Sequence, residues 1–377
     1  MIKKQIVIFP GYYPPHLGGM ETVAAEQAKY LSLKHEVTVF APRLPKSAPK
    51  YEKNGSVTIY RYPAFEIIKN FPCPKLWSLE YWEARKQINR ISFDVAVTHT
   101  RFFTNALLGL FSAKKKKAKL IHFEHGSAFV KVRSKAVSFI SKCYDLTIGK
   151  YILNSADQVI AISKQVKHFL QNDLGVKNKV KVIYRGLEFD EIDRIPKLQF
   201  ANKKINIVTV GRLAKCKGVD NAIEAITSLP DNVKKAIHYH VIGSGIEEDI
   251  LIRLAGNDKS ITFHGELNHS SVISMLKASD IYIHPSNPGG GLATTLLEAM
   301  YCRNFIIASP HEGAAEVIDS KVGFLLSGNS PLEIAKIIEQ SLQLKTLDWA
   351  KENGRKKIRN SFGWSEKVNS YEELFKD

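Results

Sequence analysis

Short apolar segments typical of buried strands alternate with helical segments along almost all of this 377-residue chain. This alternation is typical of a mostly parallel sheet with helices on both faces, whose ligands bind beyond the carboxyl ends of the strands. The sequence therefore predicts an α/β fold. The predicted strands are 6–9, 36–41, 57–62, 95–98, 120–124, 159–162, 180–183, 205–210, 239–242, 261–263, 281–283 and 305–308.

The alternation stops once, in the polar segment 186–204, and this break predicts two consecutive α/β domains. We expect an N-terminal Rossmann-like domain over residues 1–190 and a C-terminal one over residues 200–361. The segment 331–377 contains about three helical stretches and no strand pattern. The last stretch, about 362–377, is amphipathic, and we expect it to pack back on the N-terminal domain.

Composition excludes several classes of protein. With 44% hydrophobic and 24% charged residues, the chain is neither disordered nor fibrous. Its four cysteines form no C-x-x-C pair, which predicts reduced thiols rather than a zinc site or a disulfide framework. No apolar run reaches the 18 residues of a spanning helix, and the N-terminus has no signal-peptide core. We expect a cytoplasmic protein with peripheral membrane contact.

The positive charge is confined to the first half of the chain. Residues 1–200 contain 33 Lys+Arg against 16 Asp+Glu, whereas residues 201–377 contain 21 of each. This asymmetry predicts that the N-terminal half meets a polyanion, with membrane lipid phosphates and nucleic acid as the two candidates. Charge that serves solubility alone is the alternative.

Two segments of the N-terminal half can meet such a surface. One is the lysine run 114–117 with Lys119, in a predicted polar turn whose alternative role is simple solvation. In the other, 129–153, apolar residues recur at helical spacing beside four basic residues. This pattern is typical of an interfacial helix and equally of a core-facing one. The apolar residues are Val132, Ala136, Phe139, Ile140 and Cys143, and the basic ones are Lys131, Arg133, Lys135 and Lys142.

Three loops that follow predicted strands are suited to phosphate groups. Segment 11–19 opens the first helix, where glycines allow backbone amides to approach an anion. Segment 211–218 contains Arg212 and Lys217, whose guanidinium and ammonium groups suit a diphosphate. Segment 241–245 resembles a dinucleotide fingerprint but lacks its third glycine, which disfavours a nicotinamide dehydrogenase. The alternative for the first loop is a tight turn, and the alternative for the second is a pair of solvated surface cations.

The segment 284–300 is the most informative. A strand leads into a triple-glycine loop and then into a helix that contains Glu298. Successive amides in such a loop can bind an anion, and Thr294 and Thr295 can cap the helix or bind phosphate. The Glu298 carboxylate accepts hydrogen bonds and suits two ribose hydroxyls. A capped, solvated helix is the structural alternative.

Together these motifs resemble the retaining glycosyltransferases of family 4, which have the GT-B architecture of two Rossmann-like domains facing each other across a cleft. The resemblance covers nearly the whole chain, and the motifs are specific only in combination. They are Pro14-Pro15 with Gly18-Gly19, Gly211-Arg212 with Lys217-Gly218, the segment 241–245, Pro285-Ser286 with 297–300, and the segment 312–316.

The resemblance implies a role for each matching residue. Arg212 and Lys217 would hold the donor diphosphate, Glu298 the nucleotide ribose, and His125 the donor sugar near the reacting carbon. The implied catalytic residues are His125, Arg212 and Lys217. The implied donor-binding residues are Gly18, Gly19, Arg212, Lys217, Gly243, Gly290, Gly291, Leu292, Ala293, Thr294 and Glu298.

Two positions depart from the family pattern. The family usually has two glutamates eight positions apart at the glycine loop, and Gly290 occupies the first of them here, before Glu298. Since that carboxylate normally contacts the transferred sugar, Gly290 is expected to alter the choice of sugar or the activity itself. Similarly, Glu312 stands where a glycine is common before Glu316.

By resemblance, the chain transfers a hexose-type sugar from a nucleotide diphosphate to an acceptor hydroxyl with retention and without a metal or other cofactor. The basic half favours a lipid-linked or surface-polysaccharide acceptor at an anionic membrane, as in lipopolysaccharide or capsule assembly, and no nucleic acid is expected. One rival is another GT-B enzyme, such as a nucleotide-sugar epimerase or a phosphorylase. The second rival is a non-catalytic module that binds nucleotide or nucleic acid.

Overall fold

The structure is a computed structural model that describes residues 2–16, 19–68, 71–130, 134–201, 203–287, 292–311, 313–343 and 347–376. It divides into two compact units. Unit 1 consists of Met1–Arg185 with Trp364–Asp377, and unit 2 of Gly186–Gly363.

The secondary structure follows the predicted alternation. The strands are β1 (Gln5–Phe9), β2 (Glu36–Arg43), β3 (Tyr51–Asn54), β4 (Val57–Ile68), β5 (Phe71–Pro74), β6 (Val95–His99), β7 (Lys119–Glu124), β8 (Gln158–Ala161), β9 (Val180–Val182), β10 (Ile205–Val210), β11 (Ile237–Ile242), β12 (Ile261–Phe263), β13 (Ile281–His284), β14 (Phe305–Ala308) and β15 (Gly323–Leu325). The helices are α1 (Gly19–Leu31), α2 (Leu79–Arg90), α3 (Thr104–Lys116), α4 (Lys135–Tyr144), α5 (Lys150–Ser155), α6 (Lys164–His168), α7 (Phe189–Arg194), α8 (Val219–Ser228), α9 (Asp231–Ala236), α10 (Glu248–Ala255), α11 (His269–Ala278), α12 (Thr294–Tyr301), α13 (Ala314–Val317), α14 (Pro331–Leu342), α15 (Leu347–Ser361) and α16 (Trp364–Phe375). Two π-helical turns (Asp145–Gly149 and Phe169–Asp173) and a 3₁₀ turn (Lys215–Lys217) complete the list.

The unit 1 sheet has the strand order β3-β4-β2-β1-β6-β7-β8-β9, with β5 also paired to β4. Its neighbouring strands are parallel except at the β3–β4 and β4–β5 pairs. The chain moves outward from β1 through β2 and then returns to pair β6 on the other side of β1. This reversal creates a topological switch point at the carboxyl ends of β1 and β6, where ligands of α/β sheets bind.

Two helical layers cover the unit 1 sheet. Helices α2, α3 and α5 contribute to the core on one face, with Tyr81, Leu110 and Ile152 fully buried. Helices α1 and α16 cover the other face, where Trp364 stacks on Tyr30 with ring centroids 5.2 Å apart. The last described helix of the chain is therefore part of the core of unit 1.

The unit 2 sheet has the order β12-β11-β10-β13-β14-β15 and is parallel throughout. Its switch point lies between β10 and β13, because the chain passes from β10 to β11 and β12 before it returns to β13. Apolar residues of α8, α10 and α14 pack on one face of the sheet. The carboxyl ends of β10, β11 and β13 meet at one edge, and the loops that follow them lie together there.

The lysine run of unit 1 is helical rather than a turn. Lys114, Lys115 and Lys116 form the last turn of α3, and Lys117 adopts a left-handed conformation with φ 54°. Cations in a last helical turn interact favourably with the helix dipole, which accounts for this placement. Lys114 Nζ also donates a hydrogen bond to the Tyr151 hydroxyl, 2.8 Å away.

Helix α4 and the π-helical turn after it carry their apolar side chains on the outside. Phe139 and Ile140 are 69% and 65% exposed, whereas Ser141, Asp145 and Gly149 are buried. Of the two alternatives for segment 129–153, the core-facing helix is therefore wrong over α4 and the turn after it, whereas Ile152 and Leu153, in α5, do lie in the core. Val132, Lys131 and Arg133 lie outside the described residues.

Candidate functional site

Two loops of unit 2 are joined at the carboxyl edge of its sheet. Gly211 N donates to Ile242 O at 3.0 Å, and Leu213 N donates to Ser244 O at 2.8 Å. Gly243 has φ +133°, and a Cβ there would lie 1.9 Å from Gly211 O. Only glycine fits such a close approach of two backbones. Gly243 therefore has a structural reason to be present, whatever it also contributes to binding.

The loop that carries both cations is fixed against the segment leading to α12. Asn287 N donates to Cys216 O at 2.9 Å, and Gly218, with φ +60°, packs so closely that a Cβ would lie 2.0 Å from Pro285 O. Arg212 is exposed, and Lys217 is half-buried in the 3₁₀ turn. The backbone is thus held rigidly, while two positively charged side chains remain at the ligand-binding edge.

Helix α12 begins at this edge without a side-chain cap. Its N-cap residue is Ala293, so neither threonine occupies the capping position. Thr295 Oγ1 instead accepts a hydrogen bond from the Tyr282 hydroxyl at 3.0 Å. Uncapped amides of a helix start bind anions well, because they add to the positive end of the helix dipole. Leu292 before them is buried.

Glu298 lies one turn into α12 and is only 6% exposed. Its Oε1 atom lies 2.9 Å from His269 Nε2, at the first residue of α11. The side chain of His269 is half exposed. This partner was not predicted from the sequence, because 29 residues separate it from Glu298. One carboxylate oxygen therefore has a fixed partner near the surface of the site.

In unit 1, the start of the loop after β1 is tied to β2 by a side chain of α3. Asn105 Nδ2 donates to both Pro10 O and Phe40 O at 2.7 Å. Gly11 packs on Phe103, since a Cβ at residue 11 would lie 2.1 Å from that ring. Gly19 begins α1, and a Cβ there would meet nothing within 4 Å. Gly19, the first residue of α1, is exposed.

His125 follows β7 at the same edge and is 8% exposed. Glu124 Oε1 accepts hydrogen bonds from His125 N at 2.9 Å and from Gly126 N at 2.8 Å, which fixes the backbone that carries the imidazole. Burial lowers the pKa of His125 to about 4. The imidazole is therefore neutral at pH 7.

The carboxylate of Glu124 belongs to a fully buried ionic network. Arg101 Nη1 lies 3.1 Å from Glu124, and Arg101 Nε and Nη2 donate to Asp145 at 3.0 Å. Burial alone would raise the pKa of Glu124, but the charge of Arg101 and several hydrogen bonds hold that pKa well below its usual range. Glu124 is therefore ionised wherever the protein is folded near neutral pH.

The structure brings together most of the predicted unit 2 residues: Arg212, Lys217, Gly243, Leu292, Ala293, Thr294 and Glu298 lie in loops at one sheet edge or in the helix that starts there. Gly19 and His125 lie at the corresponding edge of unit 1. Gly18, Gly290, Gly291 and Glu312 lie outside the described residues.

Comparisons with known proteins match the whole chain. The model for glycosyl transferases group 1 matches residues 190–357, and that for glycosyltransferase family 4 matches residues 17–191. A glycosyltransferase of Methanocaldococcus jannaschii, itself described as uncharacterized, is 44% identical over 100% of this chain and 99% of its own length.

Two solved structures show the same fold. Sucrose-phosphate synthase of Thermosynechococcus elongatus superimposes with a TM-score of 0.80 at 18% identity, covering 99% of this chain and 98% of the other. HepE of Anabaena, solved in complex with UDP-glucose, gives a TM-score of 0.73 at 16% identity, covering 98% of this chain and 99% of the other. Both comparisons match a two-domain α/β architecture over its full length.

Proposed function

Since the chain belongs to the glycosyltransferases of family 4 with GT-B architecture, we propose that it moves a sugar from a nucleotide diphosphate to an acceptor hydroxyl with retention of configuration. A hexose is the proposed sugar class. One observation carries the proposal. The loop that holds Arg212 and Lys217 is fixed by hydrogen bonds and close packing against the segment that leads to α12 and Glu298.

The donor nucleotide is proposed to bind at this edge of unit 2. Arg212 can form paired hydrogen bonds to the diphosphate, and Lys217 supplies a point charge beside it. The backbone amides of residues 290–294 are proposed to complete the phosphate site. The buried carboxylate of Glu298 accepts hydrogen bonds from the ribose hydroxyls. Gly243 allows the loop after β11 to pack directly against Gly211, at the start of the loop that holds Arg212 and Lys217.

Catalysis is proposed to come from charge stabilisation of the leaving diphosphate. As the bond to the sugar breaks, negative charge grows on the phosphate oxygens, and preorganised cations stabilise it more in the transition state than in the ground state. Arg212 and Lys217 supply that charge, so the proposed reaction needs no metal ion. In unit 1, Gly18 and Gly19 contact the donor and His125 contacts the transferred sugar. Same-face attack guided by the leaving phosphate gives retention.

Replacing His269 with alanine is expected to raise the KM for the donor about threefold to tenfold and to leave kcat nearly unchanged. His269 Nε2 lies 2.9 Å from Glu298 and orients the carboxylate proposed to bind ribose, so its loss weakens nucleotide binding rather than the chemical step. Initial rates over a range of donor concentrations measure both constants. Ser270→Ala, on the exposed surface next to it, is the control. An unchanged KM in His269→Ala would contradict the proposed role of Glu298.

The acceptor is proposed to be lipid-linked and to reach unit 1 at an anionic membrane. Helices α3 and α4 each expose apolar and basic side chains, among them Phe111, Lys115, Phe139, Ile140 and Lys142. We call these five residues the basic apolar surface. Apolar side chains flanked by lysines are suited to the headgroup region of a bilayer. No helix in the part of the chain that the structure describes is long and apolar enough to span a membrane. On the basis of the exposed apolar and basic side chains, we propose peripheral attachment at the cytoplasmic face.

The double substitution Phe139→Ser with Ile140→Ser is expected to weaken binding to anionic vesicles at least tenfold. Each exposed side chain would lose the favourable transfer of its apolar area into the interface. Flotation with vesicles of mixed phosphatidylcholine and phosphatidylglycerol at moderate salt measures the bound fraction. Ile246→Ser, at an 86% exposed residue of unit 2, should bind like the wild type. Equal binding by all three proteins would rule out this surface as the attachment site.

The test of the function is incubation of the purified protein with a panel of nucleotide sugars and a membrane lipid extract. Release of nucleotide diphosphate together with labelled lipid is the expected result. An epimerase would release an altered sugar nucleotide without acceptor. A phosphorylase would instead require inorganic phosphate or a sugar phosphate. Nucleotide binding without turnover, combined with salt-sensitive binding of nucleic acid, would contradict a transferase.

A further inference from the structure

Three polar side chains form a buried chain of hydrogen bonds that ends at His125. His125 Nε2 lies 3.1 Å from His99 Nδ1, at the end of β6, and His99 Nε2 lies 3.0 Å from Gln27 Oε1, on α1. Gln27 and His99 are 1% and 2% exposed. The neighbouring strand holds His99 in place, since its ring stacks on Phe123 with centroids 5.5 Å apart. Gln27 and His99 have no role in the reaction proposed above.

The hydrogen bonds determine which ring nitrogens carry protons. The Oε1 atom of Gln27 only accepts, so His99 Nε2 must donate to it. Burial lowers the pKa of His99 well below its usual value, so His99 is neutral and its Nδ1 carries no proton. His125 Nε2 must then donate to His99 Nδ1. Because His125 is also neutral at pH 7, its Nδ1 is left as a hydrogen-bond acceptor.

We propose that Gln27 and His99 are positioning residues that hold His125 as the Nε2–H tautomer, so that its Nδ1 accepts a hydrogen bond from a hydroxyl of the donor sugar. This inference rests on the proposed function, in which His125 contacts the transferred sugar. His125 then orients the sugar as an acceptor and does not donate a proton to it. Gln27, on α1, thus determines that His125 accepts the hydrogen bond and the sugar donates it, although Gln27 itself touches neither sugar nor nucleotide.

The tautomer can be measured directly by NMR in the protein without donor. Histidine labelled with ¹⁵N is incorporated, and two-bond ¹H–¹⁵N correlation spectra at pH 7.5 distinguish protonated from bare ring nitrogens. Signals of His125 and His99 are assigned by their loss in His125→Gln and His99→Gln. We expect a bare Nδ1 and a protonated Nε2 for His125. A protonated Nδ1 in the wild type would overturn the proposal.

Two variants test the role of Gln27. Gln27→Met keeps the length of the side chain but removes the acceptor, so His125 is expected to become a mixture of tautomers, with kcat reduced about tenfold, the worth of one hydrogen bond. Gln27→Glu keeps an acceptor oxygen and should retain the wild-type tautomer as long as His99 stays neutral beside the carboxylate, which the ¹⁵N signals of His99 report in the same spectra. An unchanged tautomer in Gln27→Met would overturn the positioning role.

The spectra also separate this inference from the proposed function, because they need no donor. If Gln27→Met shifts the tautomer but leaves turnover with the donor found in the panel unchanged, the hydrogen-bond chain stands. The acceptor role assigned to His125 Nδ1 is then overturned. If the wild type transfers no sugar at all, the tautomer result remains a property of the fold, and the proposed function alone has failed.

Discussion

Arg212→Ala is expected to lower kcat/KM for the nucleotide-sugar donor by roughly 10²–10³-fold, the usual cost of removing one preorganised group that stabilises a developing oxyanion. The side chain is exposed on a loop fixed by the backbone contacts of Gly211, Leu213 and Gly218, so its removal leaves the loop in place. Arg212→Lys should restore little of the activity, because an ammonium cannot form the paired hydrogen bonds of the guanidinium.

Initial rates of nucleotide diphosphate release measure this effect, with the midpoint of thermal unfolding as a check on folding. Arg253→Ala removes another exposed arginine of unit 2, from α10, and should match the wild type in rate. An Arg212→Ala protein that folds normally and works within threefold of the Arg253→Ala protein would mean that the diphosphate is bound elsewhere.

The GT-B fold was predicted correctly, and the reason lies in the strands. Central strands such as β1 and β6 are buried on both faces, so their sequences contain short apolar runs, Ile6–Phe9 in β1 and Val95–Val97 in β6, that are easy to recognise. Strands β3, β5 and β15 were missed, and the reason is clearest for β3 and β5. β3 lies at the sheet edge with no buried residue, and β5 has two prolines and only four residues. Neither strand has a clear alternating pattern, and both are held by pairing with β4.

Loop residues and their partners were not equally predictable. Arg212, Lys217 and Glu298 belong to short motifs beside strands, where the sequence places them at a ligand-binding edge. Their assigned roles stay predictions. In contrast, His269 and Gln27 act on partners 29 and 72 residues away in the chain. Only the folded sheet brings such residues together, so no local pattern could predict those contacts.

The orientation of α4 could not be predicted from its sequence, for a different reason. Periodicity correctly indicated a helix with one apolar stripe, but the stripe alone does not say which side faces the core. The deciding residue is Asp145, which must turn inward because it pairs with the buried Arg101. That ion pair spans 44 residues and fixes the rotation of the helix, which leaves Phe139 and Ile140 in solvent.

Glu124→Gln is expected to destabilise unit 1 by about 3–5 kcal/mol, the usual cost of removing one partner from a buried ion pair. The substitution removes the charge opposite Arg101 and weakens the hydrogen bonds that fix His125 and Gly126. Asp145 still neutralises Arg101, so the lower end of the range is expected. Denaturant unfolding can follow unit 1 by tryptophan fluorescence in a Trp349→Phe background. That background leaves Trp77, Trp82 and Trp364, all in unit 1.

The pKa of Glu124 predicts how the stability difference between wild type and Glu124→Gln depends on pH. The pKa of Glu124 is lower in the folded protein than its unfolded value of 4.5, so its contribution is fully present above that value and is lost as the pH falls through the folded pKa. The gap between wild type and Glu124→Gln should be constant from pH 5 to 8 and narrow below about pH 4.5. Glu36→Gln, which removes an exposed ion pair with Lys3, should cost far less stability than Glu124→Gln, because solvent screens that pair. If both variants lose equally little stability at pH 7, Glu124 is not the charge that holds the His125 loop, and Asp145 alone must neutralise Arg101.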